Sequence, residues 1–242
     1  MVLAYKTEYR LEMQSNTPNW QHELKSAIKA IPNRFAPNEL AYLALTSKPE
    51  AQIRDAIAVH LHEVFGSSAG ARYLVAREWG DDTHKGFYDL AVVDTAETQR
   101  GFHHPPVMLV ELKAHYTFDF QNGISNKAMR VAIKADLDGL VEPIGHPLNQ
   151  RCQDGFFLHI LVTPMKRIEE RYWPLVKYHD RINRLFRKVT DPEVIRTTGT
   201  SIAAREVKVL ALGGYSQMIA LGVVGEAFGI PVTVDMILLS TR

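Results

Sequence analysis

The chain has 242 residues, 46% of them hydrophobic, and its 28 lysines and arginines are balanced by 27 aspartates and glutamates. This length and apolar fraction allow one large domain with a sizeable core. A formal net charge of +1 excludes a globally cationic protein, so any nucleic-acid binding must come from local patches. The single cysteine, Cys152, excludes an internal disulfide and a cysteine-based zinc cluster. No stretch approaches the roughly 18 apolar residues of a membrane span, so we expect a cytoplasmic protein that does not enter membranes.

The first 46 residues predict an N-terminal arm followed by helices. Residues 1–19 are polar, and Trp20, Leu24, Ile28 and Ile31 then recur at the spacing of one helix face. A second short helix is predicted over residues 37–45.

The stretch Ser47-Lys48-Pro49-Glu50 predicts the start of a longer helix and of the main domain, over residues 47–242. A serine followed three residues later by glutamate is the pattern of a capping box, and proline favours the first helical turn. From Glu50 onward, apolar residues step by three or four, and Glu50 lies on the same face. Glu50 therefore has two readings, a reciprocal cap for Ser47 or an acidic group that faces a site.

From residue 72 the apolar period becomes that of strands. Strands are predicted over residues 73–79, 87–94 and 156–163, with a central apolar strand between the second and the third. A helix is predicted over residues 125–141, a basic helical region from 164 to about 189, and further strands over 207–239. The order of elements indicates an α/β fold with a mixed central sheet and helices on both sides.

The central strand, Val107 to His115, places two charges inside an apolar run. Glu111 and Lys113 lie one pleat apart on the same face, where burial is costly unless the charges pair, are hydrogen-bonded or hold a metal. Asp89 lies in the preceding strand, so Asp89 and Glu111 meet if the two strands are neighbours. Oxygen ligands without thiolates favour a hard cation, Mg²⁺ with Mn²⁺ as a substitute.

This pattern resembles the PD-(D/E)XK nuclease superfamily. Asp89, a gap of 21 residues and then Glu111-Leu112-Lys113 in an apolar strand, after a helix that carries Glu50, are the residues that carry the resemblance. The resemblance covers residues 47–163 and implies the three-layer restriction-endonuclease-like fold. By this resemblance Asp89, Glu111 and Glu50 would be metal ligands, and Lys113 would be the catalytic lysine. Tyr88 replaces the proline usually found before the aspartate.

Two basic stripes on predicted helices are candidate contacts to a phosphate backbone. The first consists of Lys127, Arg130 and Lys134, and the second of Arg181, Arg184 and Lys188. Each stripe follows helical spacing, although a charge run on a helix is more often an ordinary solvated face.

These features predict a Mg²⁺-dependent nuclease, an endonuclease acting on DNA, in restriction, repair or mobile-element defence. The first alternative is a non-catalytic module of the same fold that binds DNA or a partner subunit. The second is a structural ion-pair network in an unrelated α/β protein, because Glu-x-Lys is a common tripeptide. A strand near the C-terminus could also mediate a homodimer.

Overall fold

A computed structural model describes residues 18–67, 71–80, 87–96, 106–120, 127–145, 154–211 and 215–240. Side chains of residues 127, 128 and 141–145 are outside this description. The predicted N-terminal arm, and most of the predicted turn over residues 80–86, also lie outside the described residues.

Within residues 18–67 three α-helices precede the sheet, and their bounds follow the apolar spacing of the sequence. They are α1 (Trp20–Ala30), α2 (Glu39–Thr46) and α3 (Glu50–Leu61). A π-helical turn over His62–Gly66 follows α3 and interrupts its apolar stripe, so Val64 is 50% exposed whereas Leu61 is fully buried.

The described residues contain six strands, which form one mixed sheet. They are β1 (Tyr73–Trp79), β2 (Tyr88–Asp94), β3 (Pro106–Tyr116), β4 (Asp154–Pro164), β5 (Ser216–Ala227) and β6 (Ile230–Ser240). The spatial order is β1-β2-β3-β4-β6-β5, and only β3 and β4 run parallel. Helix α4 (Lys127–Gly145) connects these two parallel strands, as a parallel pair requires. The predicted α/β class with a mixed sheet is confirmed.

Helices cover both faces of the sheet. One core joins α1, α2 and α3 to the even-numbered residues of the central strands, such as Val110 and Leu112. The other core joins α4 and a helix near the C-terminus, α6 (Pro192–Leu210), to Leu109 and Phe157. The inward-facing residues of both faces are apolar, which explains why β3 reads as a nearly continuous apolar run.

Two predictions for the C-terminal third are wrong. The basic region after residue 164 is largely turns and loop, with one short 3-10 helix and one short α-helix, α5 (His179–Phe186). Val207 lies in α6 rather than in a strand, and Asp191 caps the start of that helix by accepting a hydrogen bond from the Glu193 N–H. No helix among the described residues is long and apolar enough to cross a membrane.

Helix α6 crosses the end of β3 at very short range. A Cβ atom added to Gly199 would lie 2.6 Å from the Thr117 Cβ and 2.8 Å from the Thr117 carbonyl oxygen. We expect Gly199→Ala to lower the free energy of unfolding by about 2 kcal/mol, because the helix must shift. Chemical denaturation would measure this loss.

Gly139→Ala is the matched control, because a Cβ at this position of α4 would meet no atom within 4 Å. This substitution should raise stability by about 0.5–1 kcal/mol through helix propensity. Equal effects of the two substitutions would contradict the close crossing at Thr117.

Candidate active site

The candidate site lies where β2 stops pairing with β3. The antiparallel pairing of β2 with β3 ends at Leu90, which lies opposite Val110. After Glu111, the backbone N–H groups of β3 that point toward β2 have no strand partner in the described chain. Carboxylates satisfy two of them. Asp89 Oδ2 accepts a hydrogen bond from the Leu112 N–H at 2.8 Å, and Glu50 Oε2 accepts one from the Ala114 N–H at 2.7 Å.

The position of Glu50 decides between its two sequence readings. The capping box does not form, because the N-cap of α3 is Pro49 and makes no side-chain hydrogen bond. The Ser47 hydroxyl instead donates to the Leu43 carbonyl at 3.1 Å. The prediction that this stretch starts the helix is confirmed, while Glu50 itself faces the end of β3.

Asp89 and Glu111 form a close carboxylate pair across β2 and β3. Burial raises the pKa of Glu111 to about 9, and the charge of Asp89 and a hydrogen bond with its side chain add to the rise. In the absence of a cation, the pair therefore shares a proton at neutral pH, since two adjacent buried carboxylates cannot both ionise cheaply.

Lys113 projects from the same face of β3 as Glu111 and contacts α4. Its Nζ lies 3.2 Å from Asp136 Oδ2, and the two side chains are 28% and 23% exposed. Burial acts to lower the pKa of Lys113, but the charges of Asp136, Glu50 and Asp89 outweigh it and the pKa is raised. The lysine is therefore held as an ammonium ion inside the site.

A neutral histidine pair continues this face toward the end of β3. His115 Nδ1 lies 2.9 Å from His159 Nε2, and Phe120 packs edge-on against both rings. Burial lowers the pKa of His115 to about 3 and that of His159 well below its ordinary value. Because both rings are uncharged at neutral pH, they pack near Lys113 as a neutral, hydrogen-bonded pair.

The two predicted basic stripes differ in what surrounds them. On α4, Arg130 lies 3.1 Å from Glu206, Lys134 pairs with Asp138, and the Lys127 side chain is outside the described residues. On α5, Arg181 lies 3.5 Å from Asp119 and Arg184 lies 3.9 Å from Asp180. Lys188, just after α5, is exposed. Internal ion pairs thus neutralise part of each stripe.

The carboxylate pair fits a hard divalent cation. Within the described residues no three or more histidine, cysteine, aspartate or glutamate side chains form a group that could hold a metal by themselves. Mg²⁺ does not need such a cage, because it keeps several waters and commonly binds through one or two carboxylates. Asp89 and Glu111 supply two converging carboxylates, and a cation would replace the proton that they share.

Comparisons with protein-family models, with curated proteins and with solved structures give no significant match. The site must therefore be interpreted from its own geometry.

Three charged groups at the site were not predicted from the sequence. Asp136 occupies the apolar face of α4, seven residues after Met129 and four before Leu140, and an acid on an otherwise apolar face is a signal that could have found it. Burial raises the pKa of both Glu50 and Asp119, and the charge of the exposed Lys48 opposes this rise. Only the fold brings Lys48 near Glu50, and Asp119 to the Tyr116 N–H, from which it accepts a hydrogen bond at 3.2 Å.

The carboxylate pair has a measurable stability cost. The pKa of Glu111 is near 4.5 in the unfolded chain and about 9 in the folded protein. Between pH 4.5 and pH 9, Glu111 must therefore take up a proton when the chain folds, and the free energy of unfolding falls as the pH rises through this range. In EDTA, Glu111→Gln should therefore be more stable than the unmodified protein by at least ~1 kcal/mol at pH 8.

The difference should shrink toward pH 4.5, where Glu111 is protonated in both the folded and the unfolded chain. Denaturant titrations of the two proteins at pH 5 and pH 8 would measure it. A gain that does not depend on pH would show that Glu111 is not buried against a second carboxylate.

Proposed function

We propose that this chain is a Mg²⁺-dependent nuclease that hydrolyses phosphodiester bonds of DNA. The observation that carries the proposal is the convergence of Asp89, Glu111 and Lys113 at the point where β2 and β3 separate. A close carboxylate pair beside a charged lysine is a donor set that suits a cation and an anionic substrate together.

The order of elements gives further support. From α3 to β4 the chain runs helix, three antiparallel strands, helix, and a strand parallel to the third. This arrangement is compatible with the restriction-endonuclease-like core that the PD-(D/E)XK resemblance implies, and the residues of the resemblance lie at its centre.

In this mechanism Asp89 and Glu111 would hold the ion, with Glu50 as a further acidic group beside them. The chemistry that a bound ion would supply is polarisation of the phosphodiester and a lower pKa for a water molecule. The Lys113 ammonium group orients the attacking water or stabilises the negative charge that develops on the phosphate. Asp136 keeps this ammonium in place and charged. The Leu112 and Ala114 N–H groups fix the Asp89 and Glu50 carboxylates at the strand edge.

A second candidate function is a non-catalytic module that keeps this fold and binds DNA or a partner subunit. It is favoured by the hydrogen bonds of Asp89 and Glu50 to backbone N–H groups and by the Lys113 ion pair with Asp136. A purely structural role would need the same contacts. In such a module the basic helices would do the binding and the carboxylates would only complete the sheet edge.

Cleavage assays with the full chain separate the two candidates. The protein is expected to convert supercoiled plasmid to open or linear forms with Mg²⁺ or Mn²⁺ but not with EDTA. Asp89→Asn and Lys113→Ala should each reduce the rate at least ~100-fold, since each removes a group that acts on the transition state. Asp136→Asn should cost about 10- to 100-fold, the usual effect of losing a group that orients another.

Glu63→Gln is the control, because Glu63 pairs with Arg34 away from the site. It should leave the cleavage rate unchanged. Cutting that survives both Asp89→Asn and Lys113→Ala would show that these residues do not form the active site. Binding of DNA without any cutting of duplex, single-stranded or RNA substrates would reject the nuclease and favour the binding module.

A further inference from the structure

Residues 166–188, between β4 and α6, concentrate positive charge on one stretch of the surface. The segment contains eight basic and three acidic residues, a formal charge of +5, which leaves 20 basic and 24 acidic residues for the rest of the chain. All eight basic side chains belong to exposed residues. Within the described chain five of them make no ion pair with a carboxylate: Lys166, Arg167, Lys177, Arg187 and Lys188. We call these eight side chains and the aromatic residues between them the basic-aromatic surface.

Trp173 provides a flat ring on this surface. Its indole stacks on the imidazole of His179, with ring centres 5.2 Å apart and planes 15° apart. The Nε1–H donates to the Ile168 carbonyl at 3.3 Å, which fixes the orientation of the indole. Trp173 nevertheless remains 39% exposed, although a large aromatic ring is usually buried more completely. Part of the ring is therefore available for a further stacking partner.

Tyr178 packs this surface against the end of β3. The Lys177 ammonium and the Arg181 guanidinium lie 5.3 and 5.6 Å from the centre of its ring. The same ring packs edge-on against Tyr116 at the end of β3, with centres 5.5 Å apart. Tyr116 follows Lys113 by three residues, so roughly 10 Å of strand separates the two positions and their side chains point to opposite faces of the sheet.

Hydrogen bonds hold the surface in one shape. The buried Asn183 side chain accepts from the Ile168 N–H at 2.8 Å and donates to the Ile168 carbonyl at 2.9 Å. The Lys177 N–H donates to the Leu45 carbonyl at 2.8 Å and ties the segment to α2. Because the backbone of the segment and the indole are held by these hydrogen bonds, a ligand would not have to supply the entropy of ordering them.

We propose that the basic-aromatic surface binds an unpaired nucleic-acid strand, with a base stacked on Trp173 and the phosphates beside Lys177 and Arg181. This inference rests on the proposed function, and it narrows the substrate to nucleic acid with a single-stranded segment. An exposed indole among cations suits an unpaired strand, because base-paired DNA keeps its base faces within its own stack. Arg181 of this surface lies 3.5 Å from Asp119, and the charge of Lys48 acts on both Asp119 and Glu50.

Binding in EDTA, which prevents metal-dependent cleavage, tests the inference with the full chain. Fluorescein-labelled single-stranded DNA, RNA of the same sequence and the matched DNA duplex would be titrated by fluorescence anisotropy. The single strands should bind at least ~10-fold more tightly than the duplex. Trp173→Ala should weaken single-strand binding by about 10-fold, the usual loss when one base loses its aromatic partner, and should leave duplex binding unchanged.

Three variants serve as controls. Trp173→Phe should retain most of the affinity, because a phenyl ring still stacks. Tyr42→Ala removes an aromatic residue that is 51% exposed on α2, and it should leave single-strand affinity unchanged.

The phosphate contacts are tested by the double variant Lys177→Gln/Arg181→Gln, which should reduce the slope of log K against log salt by about 1.4. The third control, Lys29→Gln/Lys208→Gln, removes two exposed charges elsewhere and should leave this slope unchanged.

These measurements test the single-strand binding inference and the nuclease proposal separately. Duplex binding as tight as single-strand binding, or folded Trp173→Ala binding single strands normally, would overturn the inference even if metal-dependent cutting is observed. Trp173-dependent binding of single strands without cutting under any metal condition would support the inference and reject the nuclease. Comparison of DNA with RNA then identifies which unpaired strand the surface prefers.

Discussion

The separation of β2 from β3 is the constraint on which the candidate site depends. Where a neighbouring strand ends, the next strand has unpaired N–H groups that must find other acceptors. Asp89 and Glu50 supply these acceptors for Leu112 and Ala114, the residues on either side of Lys113. The same two hydrogen bonds that complete the edge of the sheet thus bring carboxylates from β2 and α3 to the catalytic lysine of the proposed nuclease.

The charges at this edge are balanced in two different ways. Lys113 is compensated by Asp136, so its burial does not discharge it. Asp89 and Glu111 have no cation of their own at equally close range in the described chain, and burial with mutual repulsion keeps a proton on the pair. The cation of the proposed nuclease would take the place of that proton, whereas Lys113 already has Asp136 as its counter-ion.

The formal charge is distributed unevenly along the chain. The net charge is close to zero because a basic segment over residues 166–188 is offset by a slightly acidic remainder. This segment contacts the end of β3 through Tyr178, and Arg181 lies 3.5 Å from Asp119, which accepts a hydrogen bond from the Tyr116 N–H. Local charge near a site steers an anionic ligand even when the net charge does not.

The sequence by itself determined the class of fold, the bounds of β1 and β2 to within a residue, and the shared face of Glu111 and Lys113. A strand period of two fixes which way each side chain points, so these features follow from local pattern alone. The sequence did not predict helix α6, although Asp191 at its N-cap was a usable signal. It also did not determine which groups pair with Lys113 and Glu50. Only the tertiary structure decided that Glu50 binds a strand edge instead of capping α3, that Asp136 meets Lys113, and that Tyr178 packs against Tyr116 at the end of β3. Periodicity gives the direction of a side chain, whereas its partner depends on which distant elements pack against it.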